Sequence, residues 1–114
     1  MFGASLKSNR YSNLAVNRLI DYNIKTLAYG PKSGEISNIE VSTNLDDFHD
    51  IHTISLYLSP KNQPQYYQTI IALKPKRVIF NPGTENPEFY KLLAENDIEV
   101  EVACTLVLLA TGQY

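Results

Sequence analysis

The sequence predicts an α/β domain built around a mainly parallel sheet. Three observations carry that expectation. Short runs rich in β-branched and aromatic residues alternate with stretches of helical periodicity along the whole chain. The 114 residues, 44% of them hydrophobic, are enough for one buried core and too few for two domains of ordinary size. No apolar run is long enough to cross a bilayer, "TLVLLA" near the C-terminus being far too short.

The elements follow in order. The chain opens on "MFGASLKSNRYSNLAVNRLI", where only Met1 and Phe2 precede Gly3, so an opening strand there is very short or trimmed. "SNLAVNRLIDYN" reads as a helix with Ser12 as N-cap and Leu14, Ala15, Leu19 and Tyr22 as its stripe. "IKTLAY" (24–29) reads as a strand, and "TISLYL" (53–58) as one covered on both faces, since it is apolar along much of its length. "NLDDFHD" suits a short helix. In "QPQYYQTIIALK" the residues Tyr67, Ile70, Ile71 and Lys74 recur at helical spacing, with Pro64 suited to the first turn. "RVIF" (77–80) and "IEVEV" (98–102) are two further strands. Between them Asn86 caps a helix that begins with Pro87 and buries Phe89, Leu92 and Leu93. "CTLVLLATG" reads as a closing helix ending near Gly112, with a short strand as the alternative. Repeated strand–helix–strand units imply right-handed crossovers and parallel pairing.

In such a sheet ligands sit beyond the carboxyl ends of the strands. That places candidate site residues at 3–12, 30–34, 59–64, 81–86 and 103–105. In the first of these, Gly3, Ala4 and Ser5 allow close backbone approach, and a helix with its positive dipole end follows. Arg10 lies in the connection, where a guanidinium fork suits a phosphate. A plain tight turn with a solvated arginine explains the same residues, and no glycine-x-glycine-x-x-glycine fingerprint is present. The second strand ends in "YGPKSGEI", with Lys32 where an NAD-type site carries a carboxylate for the ribose. That favours a phosphate-bearing ligand over NAD, with an ordinary surface turn as the alternative.

Charge points the same way. The net charge of −2 argues against general nucleic-acid binding. Residues 1–34 nevertheless carry five basic residues against one acid, whereas 84–102 carry six acids against one base. A local basic cluster in an acidic protein fits one small anion.

The segments "GAS…NRYSN", "GPKSGEI", "NPGTENPEF" and "ACTLVLL" together resemble the small stand-alone coenzyme A-binding proteins, which are similar to the nucleotide-binding domain of the succinyl-CoA synthetase α subunit. The resemblance spans essentially the whole chain. It implies a three-layer, doubly wound, Rossmann-like domain over residues 1–114, with a mainly parallel five-stranded sheet and coenzyme A at the strand ends. It also implies a phosphate loop of Gly3, Ala4 and Ser5 with Arg10, Tyr11 and Ser12, and a proline-lysine turn at Pro31 and Lys32. Ser59 and Pro60 would border the nucleotide, and Asn81, Pro82, Gly83 and Thr84 match the turn after the fourth strand. The shortened first strand departs from the family, and the synthetase's phosphohistidine segment has no counterpart, so synthetase activity is not implied. The expected function is binding of coenzyme A or an acyl-CoA without catalysis, as a sensor or a carrier. The alternative is an NAD(P)-dependent or acyl-transfer enzyme using the same pocket.

Other chemistry finds less support. Cys104, the lone cysteine, excludes an internal disulfide and suits a reducing cytoplasm. It is open to reading as a thiol at a helix start, although a small buried hydrophobe is the simpler account. His49 and His52 are three apart, with Asp46, Asp47 and Asp50 nearby, yet no third ligand is spaced for a known metal site, and a solvated acidic turn is expected. "LYLSP" lacks the acceptor aspartate of a phosphorelay receiver. Most of the eight tyrosines, Tyr22, Tyr67 and Tyr90 among them, fall on helical stripes and read as core or rim. The expected partner is a small nucleotide-like molecule, with no nucleic acid and no membrane, in the cytoplasm.

Overall fold

One residue joins the sheet across its middle. The computed structural model of the chain describes residues 1–4, 6–7, 10–45 and 48–114. In it the Phe2 N–H donates to the Ser55 carbonyl (2.8 Å) and the Tyr57 N–H donates to the Phe2 carbonyl (2.8 Å). On the other side Tyr29 N–H donates to the Met1 carbonyl (3.0 Å) and Gly3 N–H to the Tyr29 carbonyl (2.9 Å). Phe2 is therefore a one-residue strand bridged in parallel to both Tyr29 and Leu56.

Three strands lie on each side of it. β1 (Ala28–Tyr29), β2 (Gly34–Ile36) and β3 (Ile39–Ser42) run in the order β1-β3-β2. β4 (Thr53–Leu56), β5 (Arg77–Phe80) and β6 (Glu99–Val102) run in the order β4-β5-β6. All pairings are parallel except that of β2 with β3. The expected five-stranded sheet is thus corrected to two three-stranded groups of a mixed sheet, linked at Phe2. The added strands are the β2–β3 hairpin. Its turn residues Ser37 (φ +48°) and Asn38 (φ +69°) are both left-handed, as a two-residue hairpin turn requires.

Helices α1 (Tyr11–Asp21), α2 (Tyr67–Leu73), α3 (Pro87–Glu95) and α4 (Thr105–Ala110) cover the sheet. Alternation along the strands sorts them. Phe2, Ile54, Leu56, Val78 and Phe80 pack with Tyr67 and Ile70 of α2 and Phe89 and Leu93 of α3. Ala28, Ile36 and Val41 pack with Val16 of α1. Ser55, between Ile54 and Leu56, points the other way and bonds Thr105 of α4 (2.7 Å). Val78, Ile79 and Phe80 are all buried, which fits a strand covered on both faces.

Helix boundaries follow local chemistry. Asn86 caps α3, its Oδ1 accepting from Phe89 N–H, and Pro87 fills the first position as expected. Pro60 and Pro64 instead start two short 3-10 turns (Pro60–Asn62, Pro64–Tyr66), so α2 begins only at Tyr67. The expected Ser12 cap is replaced: Arg10 is the N-cap of α1, with extended backbone and no side-chain bond. The buried face of α1 is Ser12, Asn13, Ala15, Val16 and Leu19, whereas Leu14 and Tyr22 are exposed, so the stripe is rotated from the expected one. The segment 44–50, expected as a short helix, includes Asp46 and Asp47, which lie outside the described residues. Among the described residues no helix is long and apolar enough to cross a membrane.

Phe2 is 3% exposed, with its ring 4.7 Å from that of Tyr29 and 5.2 Å from that of Tyr66. Phe2→Ala is expected to destabilise the fold by about 3–5 kcal/mol, read as a lowered urea midpoint.

Candidate functional site

Because every strand except β2 runs the same way as Phe2, the carboxyl ends of Phe2, β1, β4, β5 and β6 gather along one edge. The connections leaving them are stitched together. Gly3 has φ +99°, a conformation open to glycine, and it turns the chain out of the sheet. A Cβ on Gly3 would lie 3.2 Å from the Tyr57 carbonyl carbon, so the opening loop runs close against the connection after β4. The Tyr29 carbonyl accepts from both Gly3 and Ala4 N–H (2.9 and 2.8 Å), tying the loop to β1 as well.

Gly30 makes the tightest approach in the site. A Cβ there would sit 2.2 Å from the Ala4 carbonyl oxygen, a separation no side chain tolerates. Four residues on, Gly34 lies against the Leu6 side chain, 2.8 Å from where its Cβ would be. The opening loop and the "GPKSG" bend are therefore packed on one another at two points. Arg10 is exposed at the start of α1, and Pro31 and Lys32 are exposed on the bend. The first turn of α1 holds no acidic residue and no side-chain cap, which leaves its positive dipole end uncompensated by the helix itself. Tyr11 is 72% exposed, whereas Ser12 is buried. Ser5 lies outside the described residues.

The other half of the rim rests on buried amides. Asn81, fully buried at the end of β5, donates from Nδ2 to the Leu56 carbonyl (2.9 Å) and to Ser55 Oγ (3.0 Å). Its Oδ1 accepts from the Thr105 N–H (2.7 Å). The side chain is thus spent inside the protein, tying β4, β5 and the start of α4, and only the turn it anchors faces outward. That turn, Asn81–Pro82–Gly83–Thr84, closes with Thr84 N–H on the Asn81 carbonyl (3.0 Å), and Gly83 takes φ +92°. Gln63, also fully buried, donates to the Leu58 and Thr84 carbonyls (2.9 and 2.8 Å) and accepts from Asn86 Nδ2 (2.9 Å). It locks the Ser59–Pro60 connection to the Pro82–Gly83 turn. Ser59 Oγ accepts from Asn62 Nδ2 (3.0 Å), so this side chain also serves its own turn.

Sequence reasoning missed Ser55 and Tyr57 beneath the rim, and it reached Gln63 and Thr105 only as members of the segments 59–64 and 103–105. Nothing in the local pattern marks the roles of Ser55, Gln63 and Thr105, because those come from pairings across 21 to 50 residues. The glycines flanking "PKS" are the signal that was legible. Tyr57 is unusual. Its hydroxyl is buried without a hydrogen-bond partner among the described residues, and the Thr105 hydroxyl is engaged by Ser55. Burial, and then the nearby Cys104, push the Tyr57 hydroxyl well above the usual tyrosine range, so it stays protonated. Cys104 is half-buried at the start of α4. Among the described residues no group of three potential metal ligands occurs, and His49 and His52 lie at the opposite end of the sheet, around a cavity of about 540 Å³.

The comparisons with known proteins agree with this geometry. The model of the CoA binding domain family matches residues 1–110, so the chain belongs to that family. A crystal structure described as that of an uncharacterized protein is 42% identical, with a TM-score of 0.95, over 99% of this chain and 93% of that one. A hypothetical protein from Pyrococcus horikoshii OT3 is 27% identical, with a TM-score of 0.83, over 93% of this chain and 76% of that one. A cell-free protein from Thermus thermophilus, 23% identical with a TM-score of 0.87 over 99% of this chain and 87% of that one, shares the fold. No curated protein matches the chain.

Two variants check the site's construction. Gly30→Ala is expected to destabilise by about 1–3 kcal/mol, because the new methyl group must push the Ala4 carbonyl aside. Tyr57→Phe removes an unpaired buried hydroxyl and is expected to leave stability unchanged or raise it by up to about 1 kcal/mol. Urea unfolding of each variant against the parent protein decides both.

Proposed function

We propose that this protein binds coenzyme A, or an acyl-CoA, in a Rossmann-like manner at the carboxyl-end rim, with the pyrophosphate over the opening loop. The observation that carries the reading is the packing of Gly30 against the Ala4 carbonyl. It sets the Arg10-bearing loop beside the Lys32-bearing bend, with the Ala4 carbonyl seated where a Cβ of residue 30 would stand. The residues present fit the ligand's chemistry. Gly3 and Ala4 bring backbone close, the start of α1 offers its positive end, and Arg10 and Lys32 supply two cations for phosphate oxygens. Tyr11 and the Ser59–Pro60 and Pro82–Gly83 turns border the same edge, and Asn81 holds those turns in place rather than reaching the ligand. Ser5 belongs to the same loop by position.

The protein acts as a carrier or sensor of the bound nucleotide, with the whole of residues 1–114 as its binding domain. The described rim residues carry the exposed cations Arg10, Lys32 and Lys61, buried amides already bonded within the protein, a tyrosine hydroxyl without a partner, the Cys104 thiol, and the Glu85 carboxylate, which accepts from the Gly83 N–H (2.8 Å). The bend after β1 presents Lys32 in place of a ribose-binding carboxylate, which disfavours a nicotinamide cofactor.

Titration calorimetry with coenzyme A tests this. Binding is expected, with Arg10→Ala and Lys32→Ala each weakening it about ten- to a hundredfold, the worth of one charge-assisted hydrogen bond to phosphate. Unchanged affinity in both variants removes the proposed roles, and no binding to the parent protein removes the function.

A further inference from the structure

The two helical layers differ in what they show to solvent. α2 and α3 contribute none of the exposed large hydrophobic side chains. The outer face of α3 carries Glu88, Lys91 and Glu95, as a solvated helix does. The opposite layer is the reverse. Leu14 of α1 is exposed, and Tyr11 at its start, Tyr22 at its C-cap and Val107 of α4 are each more than half exposed. Residues 102–114 carry no charged side chain at all. A helix that is apolar all round belongs in an interior. α4 is such a helix, yet only Thr105, Leu108 and Leu109 are buried, while Val107 and Ala110 face out.

α1 and α4 lie side by side, and both leave the carboxyl-end rim. Between them runs a groove of about 340 Å³, walled by Leu14, Arg18, Tyr22, Leu106, Leu109 and Ala110. Leu14, Arg18, Tyr22 and Ala110 are exposed, so no described segment of this chain covers it.

Charge says what does. The exposed positions from Tyr11 to Tyr22 are Tyr11, Leu14, Arg18, Asp21 and Tyr22. Arg18 and Asp21 are the two charges of that stripe, opposite in sign and one helical turn apart. Neither has an ion-pair partner among the described residues. An occupant that closes the groove must therefore bring a carboxylate to Arg18 and a cation to Asp21, on an otherwise apolar surface. The same stripe, run in the opposite direction, brings both. With two α1 helices antiparallel about a twofold axis level with Leu19 and Ile20, Arg18 of each copy meets Asp21 of the other, because a twofold contact is made twice. Tyr22 of each copy then stands opposite Arg18 of the other, at the mouth of its groove, where ring and guanidinium stack.

We propose that the α1–α4 face is a self-association surface, taken by the same face of a second copy of this chain, with α1 against α1 and Arg18 paired to Asp21 of the other copy. Leu14, Val107 and Ala110 flank that centre as its apolar part. Tyr11 lies more than two turns from the axis, so the rim stays open and the association is independent of coenzyme A binding.

Sedimentation equilibrium of the 114-residue chain at low salt tests this. A reversible dimer is expected, with a Kd of about 10–100 µM, since two short helices make less than a standard interface. Amide shifts that change on dilution are expected in α1 and α4. Val107→Glu, at an exposed position, is expected to weaken association at least about tenfold. Arg18→Asp and Asp21→Arg are each expected to be monomeric alone, because like charges then meet twice across the axis. An equimolar mixture of the two is expected to associate within about threefold of the parent, because every mixed contact again joins opposite charges. Arg18→Glu and Asp21→Lys replace any variant that circular dichroism shows to be unfolded. A parent chain still monomeric at about 500 µM overturns the proposal. So do shift changes confined to the β2 or β6 edge, a dimer indifferent to Val107→Glu, and a mixture that stays monomeric.

Discussion

The structure depends on four backbone hydrogen bonds around one aromatic residue. Among the described residues Phe2 alone pairs with both halves of the sheet, and its ring packs against Tyr29 and Tyr66 at the joint. A sheet in two three-stranded pieces has two inner edges that would otherwise carry unpaired groups. Here a single bridged residue closes them on the side where the strands end. The direction of the chain at Phe2 also fixes the site, since Gly3 leaves the sheet at the point where β1 and β4 release their own connections. Position in the fold, more than any one side chain, brings the opening loop against both neighbours.

The rim is held by two different means. On the β1 side it is held by absence: glycines at 30 and 34 admit the Ala4 carbonyl and the Leu6 side chain where a Cβ would stand. On the β4–β5 side it is held by amides: Asn81 and Gln63 use both donors and the acceptor of their side chains on partners across the rim. Buried amides satisfied in this way rigidify, because no alternative partner is within reach and water is excluded. The exposed cations Arg10 and Lys32 sit on the first half, above the glycines, rather than on the second.

Legibility in the sequence divided along the same line. β5, the Asn86 cap and α4 were readable because their signals are local: a β-branched run, an Asn-Pro start, an apolar stretch closed by glycine. The β2–β3 hairpin escaped because "SN" between "EI" and "IEV" is a weaker turn signal than Asn-Gly, although both residues reach positive φ. The start of α1 was misplaced by two residues because Ser12 is a better cap by type than Arg10, and tertiary burial of Ser12 overrode that preference. Of the candidate site, the loops and cations were visible as residue types at strand ends. Asn81 was visible as a residue but not in its role, since only the fold places the Leu56 carbonyl and the Thr105 N–H within its reach.

The hairpin that takes the place of a crossover helix leaves a mechanical asymmetry. On the β1–β3 side the buried cluster is small and purely aliphatic, made of Ala4, Val16, Ala28, Ile36 and Val41, while the opposite cluster holds three buried aromatic rings besides Phe2. The opening loop and the Gly30 bend rest on the smaller cluster, which has less apolar side-chain bulk to resist local opening. On the proposed function, a ligand clamping these two segments would lend that lobe the resistance to unfolding, and to proteases, that its own packing supplies least.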